Sequence, residues 1–121
     1  MRLLIFIFSI FFSMQLVAQV KILKGTASFY HQKFNGRKTA TGETFNNNDL
    51  TAACNQLPLG TMVKVTNLKN GNTVIVKIND RMHAKNKRLI DLSYQAAKEL
   101  DFINSGTCKV SVEKLPKKQI D

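Results

Sequence analysis

The sequence predicts a small, mostly β domain that closes into a barrel of about six strands with one short helix. Two observations carry this prediction. Short segments of alternating apolar and polar residues recur between clusters of Gly, Asn, Thr and Lys, which is typical of short strands joined by turns. The roughly 100 residues that follow the apolar N-terminal segment also have room for one compact domain but not for two. A six-stranded barrel fits both the strand count and the length.

The clearest pair of strands flanks the dipeptide Asn70-Gly71. Residues 63–66 alternate between Val and polar residues, and alternation resumes over residues 73–78. Asn-Gly suits the two central positions of a type I′ turn, in which both residues have positive φ. The sequence therefore predicts a hairpin with a two-residue turn, whose second strand ends at Asp80, where the apolar pattern stops.

The remaining predicted elements are short. Strands are expected at residues 25–30, 50–53, 89–90 and 107–115. Residues 31–48 are polar and without periodicity, so they should form a long connection that carries functional groups. Ser93 is a suitable N-cap for one short helix over residues 94–100.

The first 18 residues have the features of a signal peptide. Arg2 provides a positive start, residues 3–12 form an apolar run too short to span a bilayer comfortably, and Ala18 ends a cleavage-like stretch. We expect cleavage after Ala18, which leaves residues 19–121 as a single exported, monomeric domain without stable membrane insertion. The alternative is a retained membrane anchor. No Cys lies near the cleavage region, so a lipid anchor is not expected.

The charge of the chain limits the choice of partners. Lys and Arg number 18 against 8 Asp and Glu, a formal net charge of +10 at pH 7, and exported cationic domains concentrate at anionic surfaces such as bacterial cell wall. A solvated basic face with no dedicated partner is the alternative. The Lys residues are scattered among few aromatics, so nucleic acid is not an expected partner. Two Cys and two His give no zinc pattern, and neither a metal nor a cofactor is expected.

Several short motifs occur in order along the chain. They read G-T-A-S-F-Y at 25–30, G-R-K-T-A-T-G-E at 36–43, T-A-A at 51–53, L-P-L-G-T at 57–61, and V-T-N-L-K-N-G, I-N-D-R and I-D-L-S between 65 and 93. With these motifs the chain resembles the RlpA-like lytic transglycosylases from residue 25 to about residue 115. The resemblance implies a six-stranded double-psi β-barrel, the fold also found in expansins. It also implies peptidoglycan glycan strands as the partner.

The same resemblance implies a site. In the family a cleft is built around the acid of the G-E motif, a His after T-A-A and the Asp of I-N-D-R; here these positions hold Glu43, Cys54 and Asp80. Asp80 would protonate the leaving oxygen and then accept the proton of the attacking muramyl hydroxyl, while Glu43 would stabilise charge or orient the sugar. Without the resemblance, Asp80 would be a strand-end acid that pairs with Arg81, and Glu43 an ordinary loop acid.

Five further residues are candidates for contacts with the sugar. They are Ser28, Tyr30, Asn79, Arg81 and Asp91. Tyr30 would stack on a sugar ring and the others would form hydrogen bonds. Asp91 has a second interpretation, as a structural acceptor for backbone N–H groups ahead of the helix.

The Cys at the position of the family's His has two interpretations. Cys54 and Cys108 are the only thiols, and two thiols in one small exported domain usually pair, so we expect a Cys54–Cys108 disulfide. Alternatively, Cys54 is a free thiol in place of the imidazole, which it replaces poorly because a thiol is a weak hydrogen-bond donor. With the disulfide, assistance from the family's His is lost or is supplied by His31 or His83.

Three functions are compatible with the sequence. The first is an endolytic lytic transglycosylase that cuts the β-1,4 bond between MurNAc and GlcNAc and leaves 1,6-anhydro-muramyl ends; the retained Glu43 and Asp80 favour it. The second is an expansin-like module that binds or loosens the wall without cutting it, and the missing His favours it. The third is a secreted inhibitor or defence protein, supported only by small size and positive charge.

Overall fold

The structure is a computed structural model that describes residues 21–117. It contains six strands, β1 Ile22–Phe29, β2 Thr51–Ala53, β3 Met62–Asn67, β4 Thr73–Asp80, β5 Ile90–Leu92 and β6 Cys108–Lys114. A 3-10 turn at Gln32–Phe34 and one helix, α1 at Tyr94–Glu99, complete the described elements. The predicted strands and the predicted helix are therefore confirmed, with bounds that shift by a few residues.

The predicted signal peptide, residues 1–18, lies outside the described residues, so the cleavage after Ala18 stays a prediction. Across residues 21–117, no helix is long and apolar enough to cross a membrane.

The six strands form one closed barrel. Around the ring their order is β1-β5-β2-β4-β3-β6, and β6 pairs with β1 to close it. The pairs β1·β5 and β2·β4 are parallel, and the other neighbours are antiparallel. Each of the six strands therefore has a paired neighbour on both sides. The small closed barrel predicted from the strand pattern is confirmed.

Alternation along the strands builds the core, because side chains at every second position face the interior. The strand residues that fill the barrel are Ala27, Ala52, Val63, Val65, Val74, Val76, Ile78, Ile90, Leu92, Val110 and Val112. Helix α1 adds Ala96 and Ala97, followed by Leu100. Its first turn is capped as predicted, since the Ser93 hydroxyl oxygen accepts a hydrogen bond from the N–H of Ala96 at 3.3 Å.

The β3–β4 hairpin differs from the prediction at its turn. The loop covers residues 68–72, and Gly71 has a φ of 80° while Asn70 is not among the residues with positive φ. A type I′ turn requires positive φ at both central residues, so that prediction is wrong. The Asn70 side chain instead donates a 3.1 Å hydrogen bond to the carbonyl of Leu100, which ties the longer loop to the end of α1.

The predicted Cys54–Cys108 disulfide is also wrong, because both cysteines are free. Cys108 pairs with Ala27 on β1, and Ala27 pairs in turn with Ile90 on β5, so two strands separate Cys108 from β2 and the adjoining Cys54. Neighbouring strands are about 4.8 Å apart, which places the two cysteines beyond the roughly 4.4–6.8 Å Cα separation of a disulfide. The Cys54 side chain packs in the apolar core instead.

Candidate active site

A cleft of about 610 Å³ opens beside the ends of β1 and β4, a volume typical of ligand-binding clefts. Its walls come from the end of β1 and the connection that follows, from the end of β4 and the loop after it, and from β5. Among the predicted site residues, those that line it are Tyr30, Asp80, Arg81 and Asp91. Those outside its lining are Ser28, Glu43, Cys54 and Asn79. Asp80 and Asp91 are therefore the two carboxylates that line the cleft.

Asp80 is held at both carboxylate oxygens. Oδ1 accepts hydrogen bonds from the backbone N–H groups of Ala40 at 3.0 Å and Arg81 at 2.8 Å. Oδ2 accepts a 2.8 Å hydrogen bond from the Tyr30 hydroxyl. Two fixed amides occupy the acceptor positions of Oδ1, whereas Oδ2 keeps one position open. Oδ2 is therefore the oxygen available to exchange a proton with a bound ligand.

A β-bulge at Asn79 turns Asp80 toward the cleft. In the pairing of β2 with β4, Ala52 lies opposite Ile78 and Ala53 opposite Asp80, so Asn79 is the extra residue. Ile78 and Asn79 are both buried, which breaks the alternation. With strict alternation Asp80 would face the core beside Ile78. Asn79, predicted to contact the sugar, is 2% exposed and redirects Asp80 instead.

Tyr30 is packed so that its hydroxyl meets Asp80. Its ring lies 4.4 Å from the ring of Phe45 and 5.7 Å from that of Phe34, measured between centroids. Burial, followed by the hydrogen bond to the Asp80 carboxylate, raises the pKa of Tyr30 far above its usual range. The phenol therefore stays a hydrogen-bond donor. The ring packing fixes the phenol, and the hydroxyl thereby orients the Asp80 carboxylate. Tyr30 also lines the cleft, and its stacking on a sugar stays a prediction.

Asp91 is the second carboxylate of the cleft. Its Oδ1 accepts hydrogen bonds from the Ser28 hydroxyl at 2.6 Å and from Nε of Arg88 at 2.9 Å, and its Oδ2 accepts one from the Arg88 guanidinium at 3.2 Å. The hydrogen bond to Asp91 raises the pKa of Arg88. Ser28, which was predicted to contact the sugar, thus donates its hydroxyl hydrogen bond to Asp91. Arg88 was not predicted as a site residue, because it lies in the loop before β5, where sequence spacing does not indicate which side chains meet.

Glu43 lies outside the cleft lining. Its carboxylate forms a 2.7 Å ion pair with Lys77 on β4 and accepts a 2.9 Å hydrogen bond from the Thr41 hydroxyl. The Lys77 hydrogen bond and then the Thr41 hydrogen bond lower the pKa of Glu43. Glu43 therefore fixes the loop of residues 39–44, whose Ala40 N–H reaches Asp80.

Hydrogen bonds of Cys54 and Arg81 link residues 54–57 to the end of β4. Cys54 is fully buried, and its N–H donates a 3.1 Å hydrogen bond to the carbonyl of Asp80. The Arg81 guanidinium donates to the carbonyls of Cys54 and Leu57. The Cys54 thiol is thus not in the cleft where an imidazole would act, and the Arg81 guanidinium forms two hydrogen bonds within the protein.

Two histidines that the sequence analysis named as substitutes both line the cleft. In His31 and His83, Nδ1 accepts a hydrogen bond from a backbone N–H two residues later, at 3.2 Å from Lys33 and 3.1 Å from Lys85. A neutral imidazole that accepts through Nδ1 carries its proton on Nε2. Each ring therefore keeps an Nε2–H donor for a ligand.

Comparison with known families decides the class of this chain. A family model described as a lytic transglycolase matches residues 22–112, a range that includes the cleft carboxylates Asp80 and Asp91. The chain belongs to the lytic transglycolase family. The family predicted from the motifs is confirmed.

Curated relatives of this lytic transglycolase chain match it closely over part of their length. The endolytic peptidoglycan transglycosylase RlpA of Haemophilus influenzae is 50% identical over 98 residues, which are 81% of this chain and 34% of the relative. The protein of the same name from Pasteurella multocida is 56% identical over 89 residues, 74% of this chain and 30% of the relative. The chain thus spans about a third of the length of the curated relatives it matches.

Solved structures place the lytic transglycolase chain among double-psi β-barrels. The Streptomyces papain inhibitor superposes with a TM-score of 0.65 at 22% identity, covering 79% of this chain and 96% of the inhibitor. An expansin of Clavibacter michiganensis superposes with a TM-score of 0.64 at 23% identity, covering 80% of this chain and 52% of the expansin. At these identities the likeness concerns the fold, and the predicted double-psi barrel is confirmed.

Proposed function

We propose that the chain is an endolytic lytic transglycosylase that acts on peptidoglycan glycan strands with Asp80 as its acid and base. The observation that carries the proposal is the setting of Asp80 in the cleft, with Oδ1 fixed by two backbone amides and Oδ2 oriented by Tyr30. Family membership supports the reaction class. Relatives named endolytic peptidoglycan transglycosylases at 50% and 56% identity support the substrate.

One carboxyl group is sufficient for this reaction. Protonated at Oδ2, Asp80 gives its proton to the oxygen of the β-1,4 bond between MurNAc and GlcNAc as the bond from that oxygen to muramyl C1 breaks. The resulting carboxylate accepts the proton of the muramyl C6 hydroxyl, whose oxygen bonds to C1 and closes the 1,6-anhydro ring. Asp80 regains its proton, and no water is consumed.

Asp91 takes the charge-stabilising role that the sequence analysis gave to Glu43. It lines the same cleft as Asp80, and Arg88 and Ser28 fix its carboxylate. A fixed negative group near the anomeric carbon stabilises an oxocarbenium-like transition state. Glu43 is engaged by Lys77 outside the cleft lining, so it contributes through the loop that carries Ala40.

A wall-binding module that cuts no bond is the second candidate. The observation that favours it is the fully buried Cys54 at the family's His position, which presents no imidazole to the cleft from that place. His31 and His83 line the cleft and offer Nε2–H donors, which favours the enzyme. Under the second candidate, glycan would bind in the cleft and remain intact.

Export is part of the same proposal, because peptidoglycan lies outside the cytoplasmic membrane. Its support is the sequence of Arg2, the apolar run 3–12 and the cleavage-like end at Ala18. The exported form is proposed to be a monomer that starts at Gln19. Mass spectrometry of the secreted protein tests this, and a secreted product that retains residues 1–18 contradicts the cleavage.

Digestion of purified sacculi separates the two candidates. Mass analysis of the released fragments should find 1,6-anhydro-muramyl ends that increase with time and with enzyme. A protein that sediments with sacculi but releases no fragments is a binding module. Fragments with reducing muramyl ends in place of anhydro ends contradict the transglycosylase reaction and indicate hydrolysis.

A further inference from the structure

One wall of the cleft carries three basic side chains, Lys33, Arg37 and Lys38, which we call the basic arm. All three are exposed. The ion pairs of the described residues join other side chains, namely Lys64–Glu113, Lys77–Glu43 and Arg88–Asp91. Within residues 21–117, the basic arm therefore has no carboxylate partner.

Uncharged neighbours position the basic arm. The Lys33 ammonium lies 5.3 Å and the Arg37 guanidinium 4.9 Å from the centroid of the Phe34 ring, within the range of cation–π attraction. Lys38 Nζ donates a 3.3 Å hydrogen bond to the Thr44 hydroxyl. The Phe34 ring also lies 5.7 Å from the Tyr30 ring. The basic arm thus adjoins the pair formed by Tyr30 and Asp80.

The acids of the cleft do not neutralise the basic arm. Asp80 already accepts three hydrogen bonds, and Asp91 is bound by Arg88 and Ser28. The cationic side chains of the lining are Lys33, Arg37, Lys38, Arg81 and Arg88, against the two carboxylates Asp80 and Asp91. A concave wall with an excess of one charge attracts ligands of the opposite charge. A neutral glycan would gain little from it.

We infer that the basic arm is a subsite for carboxylate groups that the glycan carries beside the cleaved bond. The inference rests on the proposed function, since it names the substrate groups that the same cleft recognises. In peptidoglycan such carboxylates come from the lactyl group of muramic acid, where no stem peptide is attached, or from the stem peptides. Both present the same group to Lys and Arg, which form charge-assisted hydrogen bonds with it.

Binding to sacculi tests the subsite, with every protein in an Asp80→Asn background so that no cleavage intervenes. The arm variant combines Lys33→Gln, Arg37→Gln and Lys38→Gln. The matched control combines Lys24→Gln, Lys98→Gln and Lys114→Gln, which removes equal charge from exposed positions outside the cleft lining. At low salt the arm variant should bind sacculi roughly tenfold more weakly than the background protein, since each exposed charge contact changes the affinity by about a few-fold. The control should match the background protein, and high salt should abolish the difference.

Three substrates separate the sources of the carboxylate. They are intact sacculi, glycan strands stripped of stem peptides so that the lactyl carboxylate is free, and stripped strands with amidated carboxylates. Weaker binding of the arm variant to stripped strands, with no difference on the amidated strands, assigns the lactyl group. A loss of binding confined to intact sacculi assigns the stem peptides, and both results support the subsite. An arm variant that binds intact sacculi and stripped strands as the background protein does overturns it.

Because binding and cleavage are measured separately, failure of the proposed function can be distinguished from failure of the subsite. If the unaltered chain releases no anhydro-muramyl ends while the arm variant loses binding, the proposed function is contradicted and the subsite stands. If the unaltered chain releases those ends while the arm variant binds like the background protein, the subsite alone is contradicted.

Discussion

The Tyr30 hydroxyl donates a 2.8 Å hydrogen bond to Oδ2 of Asp80, a residue fifty positions away in the chain. Tyr30 follows β1 and Asp80 ends β4, and these strands lie three places apart around the six-stranded ring. The bond therefore forms only when the barrel is closed. Through this pair, the same closure that buries the core orients the carboxylate proposed to exchange protons with the substrate.

Replacing Tyr30 with Phe should lower kcat for glycan cleavage and leave KM nearly unchanged. The substitution removes one donor from Asp80 and keeps the ring that packs on Phe45, so the acid loses orientation while the cleft keeps its shape. Removal of a hydrogen bond to a charged group should lower kcat by roughly 10- to 100-fold. The measurement is steady-state release of anhydro-muramyl fragments. A rise in KM at unchanged kcat would indicate that Tyr30 binds sugar instead.

The stability of the protein should fall more steeply above pH 10 than that of Tyr30→Phe. Burial and the Asp80 hydrogen bond raise the pKa of Tyr30 above its ordinary value of 10.0. As the pH rises through that ordinary value, the unfolded chain loses the phenol proton and the folded chain keeps it. The free energy of unfolding therefore decreases with pH in this window. Chemical denaturation between about pH 9 and 11 measures the slope; identical slopes for the two proteins would contradict the assignment.

Glu43→Gln should reduce cleavage by only a few-fold. The Glu43–Lys77 pair is exposed, and exposed pairs contribute about 0.2–1 kcal/mol. If Glu43 acts through Lys77, then Lys77→Met should cause a similar loss and the double variant no further loss. A double-mutant cycle of cleavage rates measures this coupling. A loss from Glu43→Gln as large as that from Asp80→Asn would show that Glu43 takes part in the chemistry directly.

Thiol titration of the unfolded, unreduced protein should find two reactive groups per chain, because Cys54 and Cys108 are free. In the folded protein Cys54 should not react, since it is fully buried, and burial raises the pKa of Cys108, which slows its reaction. Cys54→Ala should lower stability by about 1 kcal/mol through the cavity it leaves. It should also leave cleavage nearly intact; loss of activity in a folded Cys54→Ala protein would place the thiol in the chemistry.

Local patterns predicted the elements of this fold because local physics determines them. Alternation of Val residues marked β3 and β4, and the Ser93 side chain marked the start of α1. The turn between β3 and β4 was mispredicted: Asn70 does not have the positive φ of a type I′ turn, and its side chain donates to the carbonyl of Leu100, a contact that depends on the tertiary fold. The disulfide was mispredicted for a related reason: thiol count carries no information about the strand order that separates Cys54 from Cys108.

The candidate site was predictable only where a motif marked it. Asp80 stood out at the end of an apolar strand, but the bulge at Asn79 that redirects it appears only in the pairing of β2 with β4. Residue type alone also did not separate the roles of Glu43 and Asp91. The fold distinguishes these acids by their partners and positions: Lys77 pairs with Glu43 outside the cleft lining, and Arg88 pairs with Asp91 within it.

The central claim is that Asp80 carries the proton, and the most direct test compares Asp80→Asn with the unaltered chain on purified sacculi. The amide is nearly isosteric but cannot exchange a proton, so release of 1,6-anhydro-muramyl fragments should fall by roughly a thousandfold while thermal unfolding shows an intact domain. Asp49→Asn, at an exposed loop position outside the cleft lining, is the matched control and should cleave at the unaltered rate. A folded Asp80→Asn protein that releases these fragments at the unaltered rate would contradict the account.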